Sequence, residues 1–413
     1  MTALANDCFV HDRDRLRHHD VLALIRERLD IVAGIETVAL ADADGRVLAS
    51  DIVAGRDVPA QDNAAVDGYA YAAESGPGPL AVSLRIAAGD APPALPPSTA
   101  ARIFTGAPMP GGADTVAMQE DVRVEAHGVR LPDLREGSNR RRAGEDLEAG
   151  AVACAAGTLV TPADMAAIAS TGRSRVEVRT RLRVGLLSNG RELIAPGEPF
   201  RRGGVYDSNR PMLEAILRRW GVELFDLGTL ADDAETIRAA MRDAAERCDV
   251  LVTSGGASKG EEDHVRDGLD ALGSRHLWQI AVKPGRPLMM GQIGGCAVVG
   301  LPGNPVAAFV CAILYLRPML RVLGGAAADE PRRFPLPASF ALRSKPDRRE
   351  FLRGRMTGTG REARVEKFAR DGSGLISGLS WADGLIEIDE PTTEVAEGDF
   401  VAFIPFAEFG ISR

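Results

Sequence analysis

Between residues 181 and 325, short apolar runs alternate with longer amphipathic ones. That alternation constrains the chain more than any other feature in it. "RVGLLS", "VELFDLGTL", "DVLVTSGG" and "CAVVGLPGN" read as strands. "NRPMLEAILRRWG", "DDAETIRAAMRDAAERC", "DHVRDGLDALG" and "PVAAFVCAILYLRPMLRVL" carry helical periodicity. Strands alternating with helices of this length predict βαβ units and a mostly parallel sheet. In such sheets ligands bind where the carboxyl ends of strands run into loops.

The other regions have a different texture, and 413 residues leave room for two to four domains. A helical pattern (Val21, Leu22, Leu24, Ile25, Leu29) lies near the start, and Gly/Pro/Ala-rich alternating runs follow. "TPADMAAIASTG" reads as a helix with Thr161 as N-cap, Pro162 at its first position and Gly172 ending it. Together with the strand-like "GAVACAAGTLV" it is expected to join residues 31–54, giving a domain built from two segments, 31–54 and 146–180. Residues 55–145 then form a β-rich domain, 7–30 and 181–326 the α/β domain, and 327–413 a small, barrel-like β domain. The expected class is α/β multidomain.

Composition excludes several functions. With 45% apolar and 26% charged residues the chain reads as an ordinary soluble protein. No apolar run approaches the about 18–20 uninterrupted residues of a membrane helix, and the N-terminus has no secretory h-region, so a cytoplasmic protein without a membrane partner is expected. Cys8, Cys154, Cys248, Cys296 and Cys311 lack metal-site or redox spacing and read as buried reduced thiols. A net charge of −9 argues against a nucleic-acid partner. The basic clusters "RLRHH", "SNRRRAG" and "PDRREFLRGR" still suit an anionic small molecule.

The chemistry concentrates in loops that follow strands. In "SGGASKGEED", Ser254, Gly255, Gly256 and Ser258 let backbone amides approach an anion at the start of a helix. Glu261, Glu262 and Asp263 equally suit a helix cap. "VKPGRP" aims Lys283 and Arg286 from a rigid bend, and Pro302, Gly303 and Asn304 open the next helix. Glu192 follows the first strand of the sheet, while Asp207 and Asn209 in "GVYDSNR" read equally as ligands or as caps. Upstream carboxylates (Asp62, Asp67, Glu120, Glu145, Asp146), with no His/Cys cluster, suit a hard cation such as Mg²⁺. The absence of GxSxG, HExxH and a Walker loop counts against hydrolase and P-loop readings.

Eight stretches in order, "DNAAVDGYA", "RIFTGAPMPGGAD", "GED", "GVYDSNR", "SGGASKGEED", "VKPGRP", "GLPGNPVAA" and "REFLRGR", resemble the MoeA family of molybdopterin molybdenumtransferases, related to the gephyrin E domain. The resemblance implies a MogA-like α/β domain over 181–325 and a homodimer whose clefts use both subunits. It also implies insertion of molybdate into adenylylated molybdopterin with Mg²⁺-dependent release of AMP. A molybdopterin adenylyltransferase and molybdoenzymes or their chaperones are the implied partners. By match of position, Asp67, Thr105, Asp146, Glu192 and Asp263 are tied to activity, with Glu192 and Asp263 also placed at the metal. Lys283, Arg286, Arg353 and Ser373 fall to molybdate; Ser254, Gly255, Gly256, Ser258, Pro302, Gly303 and Asn304 fall to the pterin phosphate. Three departures stand out: Arg191 where the family commonly has an acid, Ala64 for serine, and Arg286 for lysine. The first reverses a local charge and opens an alternative, a non-catalytic protein of the same fold that binds and delivers molybdopterin.

Overall fold

A computed structural model of the chain describes residues 16–255 and 263–411. The chain divides into two compact units, one within Met1–Glu36, Gly45–Ala49 and Val178–Arg413, the other Thr37–Asp44 and Ser50–Glu177.

The first unit contains helix α1 (His18–Arg28). The second holds a four-stranded sheet in the order Ala81–Ile86, Thr99–Ile103, Gly68–Tyr71, Thr115–Met118. Gly68 has no alternative there, because a Cβ would come within 1.8 Å of the Ala117 carbonyl oxygen. Helix α2 (Pro162–Ser170) starts as its sequence predicts: the Thr161 side chain accepts from the Asp164 amide, and Gly172 follows the last turn at φ +84°.

The α/β sheet of the first unit has the order Glu223–Leu230, Arg183–Asn189, Val250–Ser254, Cys296–Leu301, Pro287–Ile293, Ser274–Gln279. The first four strands are parallel, as expected, and the last two antiparallel. Successive residues face opposite sides: Leu186 and Val252 belong to one core, Leu187 and Leu251 to the other. Helices α3 (Asn209–Arg219) and α6 (Pro305–Cys311) cover the first face. Helices α4 (Ala234–Arg247) and α5 (His264–Leu272) cover the second.

Helix α6 runs on through a π-helical turn, Ala312–Leu316, into α7 (Arg317–Leu323); Pro318, which lacks an amide hydrogen, lies just beyond the wide turn. The stretch Pro305–Leu323 is long and apolar enough by length and composition to cross a membrane, although Arg317 and Arg321 interrupt its apolar run as expected, and 83% of its most apolar 18-residue window is buried inside the protein. Length and composition here describe a core helix.

The C-terminal sheet has the order Val282–Lys283, Arg349–Thr357, Gly384–Ile388, Phe400–Pro405, Phe334–Pro337. Arg364–Lys367 pairs with Arg349–Thr357, and a bridge between Ala338 and Val365 brings the sheet back on itself. Val365, Ile386, Val401 and Phe403 fill the interior of this barrel-like layer. One of its strands, Val282–Lys283, comes from the α/β region and pairs in parallel with Arg349 and Glu350.

Candidate oxyanion site

Three parallel strands end level. Ser188 lies opposite Ser254, and Ser254 opposite Leu301, so the loops after them emerge side by side. Asn209, at the start of α3, ties two of these loops together. Its Nδ2 donates to Ser254 Oγ at 3.0 Å and to the Gly303 carbonyl at 2.7 Å. Gly255 holds φ +94°, and its amide donates to the Leu301 carbonyl at 3.1 Å. Gly256 and Ser258 lie outside the described residues.

Asp207 and Asp263 act as helix caps. Asp207, 3% exposed, accepts from the Asn209 and Arg210 amides through Oδ1, both at 3.1 Å. Asp263, 4% exposed, accepts from the Arg266 amide at 3.0 Å as the N-cap of α5. The capping side of the sequence ambiguity therefore accounts for the placement of both carboxylates. Glu192 is exposed on the loop after Arg183–Asn189, and its carbonyl accepts from the Val205 amide. Beside it Arg191 Nε stands 3.5 Å from Asp232 Oδ2. The described residues contain no cluster of three or more His, Cys, Asp or Glu placed to hold a metal. Cys154, Cys248, Cys296 and Cys311 are buried free thiols, and Cys8 lies outside the described residues.

The residues assigned to the oxyanion do converge. A cavity of 410 Å³ is lined by Lys283, Arg286, Pro302, Asn304, Arg353 and Ser373, all six anticipated from sequence. The cis Lys283–Pro284 peptide and Gly285 (φ +108°) shape the bend that presents the first two. A Cβ on Gly285 would lie 2.5 Å from Cys311 Sγ. Arg286 is exposed and makes no ion pair among the described residues. Arg353 is 7% exposed; its guanidinium donates to the Leu375 and Arg370 carbonyls, each at 2.9 Å, and stacks 4.7 Å over the Phe368 ring. Burial pulls its pKa below the usual guanidinium value. Arg353 thus fixes the 370–375 loop, whose Ser373 carbonyl accepts from the Val306 amide at 3.0 Å.

Sequence reasoning did not single out three further charged residues on the cavity wall: Arg348, Lys367 and Asp371. Arg348 belongs to the flagged basic cluster "PDRREFLRGR"; nothing local marks Lys367, which reaches Asp371 at 3.1 Å. The lining therefore carries five cations against one acid. Such a wall, with glycine turns beside it, suits a compact oxyanion or a phosphate.

In the second unit Asp67 and Thr105 meet directly. Asp67 Oδ1 accepts from both the amide and the hydroxyl of Thr105, each at 2.7 Å. The amide bond, then the hydroxyl, hold the Asp67 carboxyl below its ordinary pKa. Gly106, at φ +78°, turns the chain away immediately after. Asp146 is exposed on a different loop, with its amide bonded to the Val58 carbonyl. Ala64 is fully buried beside Ile86 and Ile103, an apolar seat for the methyl group.

Comparison with known proteins covers nearly the whole chain. Residues 16–172 match the MoeA N-terminal region (domain I and II), 185–322 a probable molybdopterin binding domain, and 335–406 the MoeA C-terminal region (domain IV). A molybdopterin molybdenumtransferase of Haemophilus influenzae is 33% identical over 387 residues, spanning 92% of this chain and 96% of that protein. Molybdopterin molybdenumtransferase 2 of Mycobacterium tuberculosis is 36% identical over 382 residues, 88% of this chain and 93% of that protein. Among solved structures, a molybdopterin biosynthesis MoeA protein from Pyrococcus horikoshii OT3 superposes with a TM-score of 0.80 at 27% identity, over 95% of this chain and 100% of that one.

Proposed function

The chain belongs to the MoeA family, and from that premise we propose that it is a transferase of molybdenum cofactor biosynthesis that inserts molybdate into adenylylated molybdopterin and releases AMP. The observation that carries the reading is the cavity in which Lys283, Arg286, Arg348, Arg353 and Lys367 face one another beside Ser373 and Asn304. Molybdate is a tetrahedral dianion. Fixed guanidinium and ammonium donors compensate its charge and accept its geometry. The Gly255 and Gly303 loops, joined through Asn209, supply a neighbouring surface of small residues for a phosphate.

Mg²⁺ would neutralise charge on the leaving phosphate. Such an ion is held by one or two carboxylates plus substrate oxygens rather than by a protein cage. Exposed Glu192 and the Asp263 carboxylate are the groups we assign to it. We further propose a cytoplasmic homodimer in which the Asp67–Thr105 face of one protomer completes the cleft of its partner.

Arg191 favours one alternative, a protein that binds molybdopterin and delivers it without inserting metal. The neighbouring Asp232 carboxylate offsets the guanidinium charge, which supports the catalytic reading. The test is AMP release from adenylylated molybdopterin, with and without molybdate and Mg²⁺, on the wild type and on Arg191→Asp. Molybdate-dependent release by the wild type establishes the insertase. Binding without release, with release restored by the substitution, establishes the delivery protein instead.

A further inference from the structure

Behind the cations that line the cavity lies a buried anion. Glu350, 1% exposed, sits on strand Arg349–Thr357 in register with Lys283 of the neighbouring strand. Its Oε2 accepts from Lys283 Nζ at 3.0 Å. Its Oε1 accepts from Ser344 Oγ at 3.1 Å and from an Arg348 amino group. Burial pushes the Glu350 pKa up, but the hydrogen bonds from Arg348 and Lys283 outweigh it and the net direction is down. The group is a carboxylate at neutral pH. Simple electrostatics makes it an opponent of anion binding, since it adds negative charge behind the cations that would hold the ligand. Its geometry offers a different role.

Lysine is a flexible point charge that is strongly hydrated and has no preferred direction of its own. Lys283 is half-exposed, yet one carboxylate oxygen anchors its ammonium. Arg348 uses an amino group on the other oxygen, while its buried Nε has no hydrogen-bond partner among the described residues.

We propose that Glu350 is the positioning residue of this cavity: it fixes the Lys283 ammonium and the Arg348 guanidinium as a paired grip on the bound oxyanion. The inference rests on the molybdate reading and names the residues that give that site its shape. Glu350 does not touch the ligand. It acts through the two cations.

The two roles predict opposite signs. If Glu350 contributed only charge, Glu350→Gln would tighten anion binding; as a positioning residue its loss weakens binding. Molybdate alone is titrated calorimetrically into the full-length protein at low salt, below the melting temperature of each variant. Glu350→Gln is expected to raise Kd about tenfold, and Glu350→Asp, which keeps the charge but withdraws the oxygens, several-fold. In the Lys283→Ala background Glu350→Gln should cost clearly less than its about tenfold effect in the wild type, because only the Arg348 half of the grip is left to lose. A merely structural role would lower the melting temperature of each Glu350 variant and leave Kd of the folded protein unchanged.

A Glu350→Gln protein that binds molybdate as tightly as the wild type, or more tightly, overturns the inference and leaves the molybdate reading intact. Should that variant fail to fold, Arg348→Lys decides instead: the charge stays and the fork goes, so weakened binding supports the proposal and undiminished binding overturns it. Wild-type protein that shows no molybdate binding sensitive to Arg286→Ala overturns the site reading itself, and the inference with it.

Discussion

The two units hold their polar groups in contrasting ways. In the cavity-bearing unit the charged side chains are layered. Arg353 is buried and spends its donors on the Leu375 and Arg370 carbonyls, and Glu350 lies behind Lys283 and Arg348. In the other unit Asp67 stands near the surface, and its two 2.7 Å bonds both come from one residue, Thr105. A layered site resists water and holds donors in place, and changing one member disturbs the fold as well as the ligand. A displayed pair depends only on its turn, so changing it should alter function while stability stays put.

Four experiments can break or sharpen that contrast. Arg353→Ala should have the largest effect. It frees the 370–375 loop, removes the Phe368 stack and leaves the Arg370 carbonyl without its donor, lowering stability by about 3 kcal/mol and molybdate-dependent turnover about 100-fold. Native melting behaviour in this variant would show that the cavity is not layered.

Acid should separate the units next. His18 is 2% exposed, bonded through Nδ1 to Tyr315 Oη at 2.8 Å, and wedged between the Tyr315 and Phe351 rings. Burial, with the Arg349 and Arg333 charges adding to it, lowers its pKa to about 3. The unfolded chain therefore binds a proton near pH 6.5 that the folded chain refuses. Stability is intact above pH 6.5 and falls progressively as the pH drops from there towards 3. At about 1.4 kcal/mol per pH unit, the loss reaches roughly 2 kcal/mol by pH 5. The one histidine of the other unit, His127, is exposed. Hydrogen exchange across the chain at pH 7 and pH 5 should show protection lost first in the cavity-bearing unit, and equal loss in both would contradict that order.

Lys283→Ala should weaken molybdate binding about tenfold with a small change in melting temperature, since the side chain is half-exposed and Arg348 still satisfies Glu350. Thr105→Val should have the mildest effect. One of two hydrogen bonds to Asp67 is lost, turnover falls about three- to fivefold, and the melting curve is unchanged. The Asp67 carboxyl rises towards its ordinary pKa, so any acid limb of activity that reports Asp67 shifts to higher pH. A fall in stability equal to that of Arg353→Ala would erase the distinction between layered and displayed sites.

Much of this architecture is legible locally. The parallel sheet follows from runs such as "DVLVTSGG" alternating with helices, and α2 from Thr161, Pro162 and Gly172. The antiparallel strands Ser274–Gln279 and Pro287–Ile293 escaped because the Pro-Gly bend in "VKPGRPLMM" dominates the reading of its neighbourhood. Asp207 and Asp263 show why acids at loop ends are ambiguous: the same short carboxylate that ligates also caps. The resemblance, rather than any pattern in the residues, drew Arg353 and Ser373 to the site. Neither route finds the Lys283–Glu350 contact. It joins residues 67 apart through strand register, which local periodicity does not encode.

The buried helix Pro305–Leu323 has a consequence for how the protein is made. Its apolar surface is covered from one side by Val21, Leu22 and Ile25 and from another by Phe406 and Phe409, with Phe309 and Phe406 in edge contact at 5.1 Å. The helix is therefore synthesised long after its first cover and well before its last. For the intervening stretch of translation, the most apolar segment in the chain waits with one flank open. A nascent protein halted near residue 330 leaves that flank without its C-terminal cover, the kind of transiently exposed apolar surface that favours aggregation.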